Sequence, residues 1–561
     1  MAIDITTVFI ILAVFGCLVA ISLSSRIQNN LKIKNNFRSL WGQIPEGKYK
    51  PEDIPSIASY FNNISQENSN RFLVDDITWN DLDMDKIFMR INNTGSSVGE
   101  EFLYYLLRDL SIDGQELHEK EAFIDLIQNN NSLREQLQFI FAKLGKKRGI
   151  NLSNYIYNVE KKSTWKFIIY RLLSLIPILS IFIIILNKEI GITLFALSFI
   201  SNSIIYYLAK SELSTQLDAI NRIVALVNCA SKISKIDKLK NYTASLLSPL
   251  KNVSKLNKLS FTLISASGDP ITEYLKIALL KDLIDYEKIM SILFKHKDDL
   301  KEIYKALGYF DSMISIVSYR KSLSYYCIPQ LEKYRSGERR FLCLKEVYHP
   351  LIKDPVTNSI ESTTPALLTG SNASGKSTFL KTIAINAIMA QTINMCLAKE
   401  YSGNYFLIYS SMALKDNLSN NESYYIAEIK SLKRILDSLN DELPCLCVID
   451  EVLRGTNTIE RIAASTQVLG YIAKRNSLCM AATHDIELTH ILESHFTNYH
   501  FQEKVCENEV QFDYKLYEGR STSRNAIKLL KLLGYNDTIV DEAENCAGAF
   551  EREGFWRKYM D

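Results

Sequence analysis

Several things are scarce in this chain. Glycine and proline number only 21 and 11 among 561 residues, and no long low-complexity tract or repeat of fixed period is present. The ten cysteines are scattered. Only Cys445 and Cys447 lie close together, one residue apart inside an apolar run, whereas metal sites want wider pairs and a second cluster. All ten are therefore read as reduced, mostly buried thiols. An excess of one charge is also missing. A net charge of +2 gives no global basic signature for nucleic acid, so any such contact has to come from a local patch.

What is present is a folded chain: 47% hydrophobic and 23% charged residues rule out disorder, and 561 residues imply two to four structural units. Three apolar stretches stand out. Thr6–Ser24 carries no charge and is about as long as the ~20 residues that cross a bilayer. The competing reading is a cleaved signal peptide, which places positive charge before the apolar run. Here Arg26, Lys32, Lys34 and Arg38 come after it, which favours an uncleaved anchor with the following chain in the cytoplasm. Phe167–Leu186 and Ile190–Leu208 form a second region, split by Asn187, Lys188 and Glu189 and flanked by positive charge at both ends. That pattern suits a hairpin entering and leaving on the cytoplasmic side. Buried core helices are the alternative, although the run Ile181–Leu186 is too uniformly apolar for an amphipathic surface helix. The three spans agree on one topology, a multi-pass inner or plasma membrane protein with its soluble segments in the cytoplasm.

Residues 26–165 and 211–340 read mostly as helices: Leu106, Leu107 and Leu110 fall at helical spacing, as do Ile303, Leu307 and Phe310. Asn129–Asn131 and Gly145–Arg148 read as turns. Lysines recur from Lys232 to Lys258, a pattern of a solvated helix face or of a phosphate- or headgroup-contacting surface.

The strongest local signal begins at Ala366. An apolar strand runs into Gly370-Ser371-Asn372-Ala373-Ser374-Gly375-Lys376-Ser377-Thr378, and a helix with Phe379, Leu380, Ile383 and Ala387 on its apolar face follows. Strand, G-x-x-x-x-G-K-S and helix together are what a phosphate-binding loop requires. Its glycines let backbone N–H groups wrap phosphates, Lys376 reaches the β- and γ-phosphates, and Ser377 ligates Mg²⁺. A second apolar strand ends in Asp450-Glu451, 74 residues after Lys376. Asp450 stands where a second acid holds Mg²⁺ through water, and Glu451 where a carboxylate polarises the attacking water. A third strand ends at Thr483-His484, and His484 is expected to sense the γ-phosphate.

This set of residues resembles the MutS mismatch-repair ATPase family. Asn372 in the phosphate loop, the run Asp450-Glu-Val-Leu-Arg454-Gly-Thr-Asn-Thr458, and Ala482-Thr-His484 followed by Glu487-Leu488 are similar to that family's motifs. So are His349-Pro350-Leu351 and Asn358 upstream, and Tyr514-Lys515-Leu516 with Gly519, Ser523, Ala526 and Gly534 downstream. More loosely, Gly95–Leu103 and Leu307–Pro329 resemble the start and the return of its helical core and lever. The resemblance implies ATP and Mg²⁺ as cofactors, His349 near the adenine, and a homodimer in which a serine reaches the partner's nucleotide. Ser423 fits that role, with Ser419 and Asn421 as alternatives, and it also fits a helix cap. DNA is implied as a partner, in a mismatch-repair-like role, by resemblance alone. Two departures bear on that. The apolar hairpin stands where the family inserts its DNA-gripping clamp. The family's N-terminal Phe-x-Glu mismatch reader finds its only counterpart at Phe501-Gln-Glu503, inside the ATPase.

The expected architecture is an α/β P-loop ATPase domain of ABC type preceded by an all-α lever region, with three transmembrane helices. The segments are an anchor at 1–25, helical core at 26–165, transmembrane hairpin at 166–210, second lever half at 211–340 and ATPase domain at 341–561. A nucleotide-gated membrane scaffold with a non-DNA partner and an ABC-type transport ATPase are the alternatives. The second is weakened by a signature, Leu418–Glu422, that matches LSGGQ only in part.

Overall fold

The computed structural model describes residues 21, 24–25, 27–45, 49–67, 71–146, 151–160, 164–256, 259, 270–412, 424–505, 510–521, 527, 530–531, 534–556 and 558. The expected anchor Thr6–Ser24 lies almost entirely outside them. The chain divides into two compact units, one of residues 1–69, 89–105 and 122–322, the other of residues 70–88, 106–121 and 323–561. The first is helical and the second is mixed α/β.

In the helical unit the two loosely motif-like segments meet across more than 200 residues of sequence. The helices Ser97–Leu106 and Lys297–Ser322 approach so closely that a Cβ on Gly99 would sit 2.6 Å from Asp311 Cβ, and one on Gly308 would sit 2.5 Å from Phe102 Cβ. Asp311 is buried and accepts hydrogen bonds from the Gly95 and Ser96 amides, each at 2.9 Å, and from the Ser96 hydroxyl at 2.6 Å. A neighbouring aromatic cluster stacks Tyr60 on Tyr304 at 5.2 Å and sets it edge-on to Tyr105 and Tyr157.

Two helices, Thr164–Leu186 and Lys188–Ile233, form the apolar hairpin. Their segments Trp165–Leu186 and Lys188–Ala209 are long and apolar enough to cross a membrane, and only 17% of either is buried within the unit. The turn is tight for identifiable reasons. Asn187 caps the second helix by accepting from the Ile190 amide at 3.3 Å, and a Cβ on Gly191 would strike the Ile184 backbone at 2.4 Å. The Ser174, Ser180 and Ser198 hydroxyls bond back to carbonyls three residues earlier. The second helix runs without a break for 46 residues, about 70 Å at 1.5 Å per residue. The membrane-type segment and the lever after it are therefore one rod.

Among the described residues the α/β unit holds ten strands: β1 (Gln330–Glu332), β2 (Leu342–Val347), β3 (Asn358–Ser362), β4 (Ala366–Thr369), β5 (Glu400–Asn404), β6 (Leu407–Ser411), β7 (Cys445–Asp450), β8 (Ser477–Ala482), β9 (Thr497–Val505) and β10 (Val510–Glu518). A small sheet has the order β1-β5-β2-β3 and a larger one the order β10-β9-β4-β8-β7-β6. In the larger sheet β6, β7, β8, β4 and β9 are parallel, and β10 closes it antiparallel. β4, β7 and β8 read as nearly continuous apolar runs because both faces are covered. Cys445 and Cys447 lie on one face of β7, their sulfurs 3.3 Å apart in the core. The edge strand β6 is covered by the helix Asp76–Asp81. There the Ser410 amide donates to Thr78 Oγ1 at 3.2 Å, and Asp81 accepts from the Ser410 hydroxyl and the Met412 amide at 2.7 and 3.0 Å.

A candidate nucleotide site at the ends of three strands

In a parallel sheet the loops beyond the carboxyl ends of the strands form the crevice where ligands bind. Here β4, β7 and β8 are adjacent, and their C-terminal ends carry the phosphate loop, Asp450-Glu451 and His484. The loop leaves β4 at Gly370, turns through Asn372–Ser374, and enters the helix Lys376–Ile393. Gly370 has φ +137° and Gly375 φ +104°, conformations that side-chain-bearing residues rarely adopt; a Cβ on Gly370 would also press on the Phe501 carbonyl at 2.9 Å. Ser374 is buried and donates to the Ser371 carbonyl at 2.7 Å, while Ser371 donates to Glu503 at 2.5 Å. Ser377 and Thr378 occupy the first helical turn, whose amides point back at the loop. Nothing is described of the Asn372 side chain.

Lys376 is 1% exposed. Its ammonium donates to the Gly370 and Ser371 carbonyls at 2.6 and 2.8 Å and lies 3.4 Å from His484 Nε2. Burial pulls its pKa down to about 8, against the opposing pull of Asp450 and Glu451.

The two acids occupy contrasting surroundings. Glu451 sits at φ +59° in the left-handed region, as does Leu453. Its carboxylate is gripped by Arg454 and lies 3.0 Å from His484 Nε2. Burial alone would raise its pKa, but hydrogen bonds from His484 and Arg454 hold it at about 2. Asp450, one residue earlier, has a buried Oδ1 with no hydrogen-bond partner among the described residues. A buried, unpaired carboxylate oxygen beside a phosphate loop matches a Mg²⁺ site, since that ion takes one or two protein oxygens together with phosphate and water. The residues thus fit the ion: Ser377 and Asp450 are the groups that would hold it.

Sequence reasoning missed the supports around these groups. Glu428, on the helix Tyr424–Ser438, accepts from the Leu453 amide at 2.5 Å and the Arg454 amide at 3.3 Å, fixing the strained turn after Glu451. Arg461 forms a two-point contact with Asp485 at 2.9 and 2.6 Å, which anchors the residue after His484. Phe501 and Glu503 alternate on β9 with a period of two, so both face the phosphate loop, Phe501 packing edge-on to Phe379. That alternation was the available signal. The Phe-x-Glu tripeptide is a loop support here.

Beside the loop lies a cavity of ≈ 460 Å³, lined by Tyr348, His349, Ile352, Asn358, Ala373, Thr378, Phe379 and Tyr514 among others. Burial, and then the Lys381 charge, hold the His349 imidazole at about 4 and hence neutral; its Nδ1 accepts from the Leu351 amide at 3.2 Å. Asn358 pins β10 by donating to the Tyr514 carbonyl at 2.9 Å and accepting from the Leu516 amide at 2.8 Å. Ser423, with its alternatives Ser419 and Asn421, lies outside the described residues, as do Ser523 and Ala526.

Glycine-rich loop, buried lysine and strand-end acids define a P-loop nucleotide-binding domain. Residues 366–551 match the family described as MutS domain V. Similar proteins include MutS protein homolog 4 of Homo sapiens, 29% identical over 285 residues, which cover 47% of this chain and 29% of that protein. The DNA mismatch repair protein MutS of Thermotoga maritima is 28% identical over 269 residues, covering 46% of this chain and 33% of that protein. DNA mismatch repair protein MSH3 of Debaryomyces hansenii is 28% identical over 266 residues, 43% of this chain and 25% of its own. The similarity to MutS proteins thus lies in the nucleotide-binding part of the chain, covers less than half of it and spans a third or less of these relatives' lengths.

Proposed function

We propose that this protein is a membrane-anchored MutS-type ATPase that binds and hydrolyses Mg²⁺-ATP as a homodimer and couples the cycle to DNA binding. The observation that carries the reading is the convergence of Lys376, Asp450, Glu451 and His484 at the ends of three adjacent strands. Loop amides from Ser371 to Thr378 and the Lys376 ammonium hold the phosphates. The adenine lies in the cavity beside His349. Ser377 and Asp450 would hold Mg²⁺, which would offset phosphate charge. Glu451 takes the proton of the attacking water, and it must first turn from Arg454. His484 touches both Lys376 and Glu451, so it is placed to report the γ-phosphate to the base. Ser423 acts across the dimer.

The hairpin supports the membrane part of the reading. Its side chains are apolar and outward-facing, and aromatic residues stand at its open end: Trp165 and Tyr207 are both exposed, as aromatic belts at a headgroup boundary require. With Thr6–Ser24 the protein has three spans in an inner or plasma membrane and its ATPase domain in the cytoplasm. A second reading, a nucleotide-gated scaffold acting on a non-DNA partner, is favoured by the same hairpin, which stands where the family carries its DNA clamp.

ATP turnover of the full chain in lipid nanodiscs, with and without matched, mismatched and branched duplexes across a salt series, separates the two. Stimulation by one DNA form that survives raised salt supports DNA coupling, because phosphate attraction alone falls steeply with salt. Turnover indifferent to every DNA removes that coupling and leaves the membrane ATPase with another partner.

A further inference from the structure

The hairpin is not the only element of the helical unit at membrane depth. The helix Pro270–Ala278 packs against the Lys188–Ile233 helix, and its last residue is tied to the hairpin interior. Asn202, 1% exposed, donates through Nδ2 to the Ala278 carbonyl at 2.7 Å and to the Leu173 carbonyl at 3.3 Å. Those contacts give the level of Ala278 along the spans. Leu173 lies eight residues into Trp165–Leu186, about 12 Å at 1.5 Å per residue, and Asn202 lies seven residues before Ala209, about 10 Å. Four residues above Asn202, the Tyr206 hydroxyl donates to Asp282 at 2.9 Å, and exposed Tyr207 follows. That polar and aromatic layer is where a headgroup boundary falls. Ala278 therefore sits roughly 6 Å on the hydrocarbon side of it.

One helical turn earlier, Tyr274 and Leu275 are 62% and 53% exposed. Large amphipathic and apolar side chains one turn from that level and turned away from the protein meet lipid. We propose that Pro270–Ala278 is an interfacial membrane helix, its Tyr274 and Leu275 buried in the boundary between headgroups and acyl chains on the cytoplasmic side. Glu273 on the same helix is exposed and stands at the headgroup side, while Lys281 just beyond it is held by Asp285 at 2.7 Å. Such helices bury their apolar face about 5–10 Å into that boundary, the depth that the Asn202 contact sets. The hairpin is then braced in the membrane plane by a third element, continuous through Ala278 and Lys281 with the helices behind it. This inference rests on the hairpin's spanning a bilayer.

The test uses the full chain in phosphatidylcholine–phosphatidylglycerol vesicles, with a fluorescent amino acid placed singly at Leu275, at Ile185 in the hairpin tip, or at Lys305 in the soluble part. Quenching is read with lipids carrying a nitroxide near the headgroup or near the chain end. The expected result is quenching at Leu275 by the headgroup-proximal label more than by the deep one, and none at Lys305. Quenching at Ile185 with none at Leu275 overturns the interfacial helix and leaves the hairpin standing. No quenching at Ile185 removes the hairpin reading and the interfacial helix with it.

Discussion

The nucleotide site and the hairpin depart from the usual distribution of polarity in opposite directions. At the ends of β4, β7 and β8, polar groups are buried: Lys376 is 1% exposed, and an oxygen of Asp450 has no partner among the described residues. In the hairpin, apolar groups are exposed: Ile185 and Leu186 are 79% and 86% accessible. A buried charge without a partner costs several kcal/mol, and so does a broad apolar surface in water, so neither arrangement suits the isolated chain in solution. The first is relieved by a ligand, an anion with its metal. On the function proposed above, the second is relieved by a different solvent, the bilayer. Departures of these two kinds mark where a fold expects something other than itself.

Each half of the comparison can be broken separately. The largest expected effect lies in the hairpin: Leu179→Arg places a guanidinium on its exposed face, at an insertion cost of about 2.5–3.5 kcal/mol mid-span. Because Thr6–Ser24 would still hold the chain on the membrane, the readout is the hairpin itself: a fluorescent amino acid at Ile185 should lose its quenching by nitroxide lipids in the variant, while ATP binding stays intact; unchanged quenching would remove the spanning reading. Next comes Lys376→Ala, which deletes a charge-assisted contact of about 1.5–3 kcal/mol and should weaken ATP binding by about 10- to 150-fold in titration calorimetry. Asp311→Asn, far in sequence from both features, leaves one of the Gly95 and Ser96 amides without a good acceptor. Thermal unfolding should show a loss of about 1–3 kcal/mol with unaltered ATP affinity. A change in affinity instead would mean that the lever joint shapes the site.

The smallest effect is a pH dependence. In the nucleotide-free protein burial holds Lys376 at about 8, and bound phosphates raise that value. The bound state then holds more proton, so affinity is complete below about pH 8. It falls as pH rises through that value, by up to about tenfold per unit. ATP affinity measured from pH 7 to 9.5 checks the sign; a flat profile would show that the ammonium does not face phosphate.

How far the sequence could be read depended on the range of the interaction. The phosphate loop, the acids closing β7 and His484 after β8 were legible because each is a short word at a strand end, announced by an apolar run. The two hairpin helices were legible for a similar reason, since each is announced by about twenty apolar residues in a row. Contacts between distant words were not. Thr78 and Asp81 cap β6 from more than 300 residues away, and Asp311 closes the Gly95-Ser96 turn from more than 200. Periodicity tells which face of an element is apolar and is silent on which element covers it. That is why residues 70–88 and 106–121, although they precede the hairpin, belong to the α/β unit. The left-handed turn at Glu451 and Leu453 was hidden for a local reason: neither residue is a glycine, and Glu428 holds the turn from another helix.

On the proposed mechanism, hydrolysis turns on Glu451 and ATP binding does not depend on it. The most direct measurement is ATP affinity and single-turnover hydrolysis for the wild type and Glu451→Gln, side by side in nanodiscs. The expected outcome is affinity within a few-fold of wild type and a hydrolysis rate reduced by about 10²–10⁴, the range of a lost general base. A variant that binds ATP and hydrolyses it at the wild-type rate would contradict it.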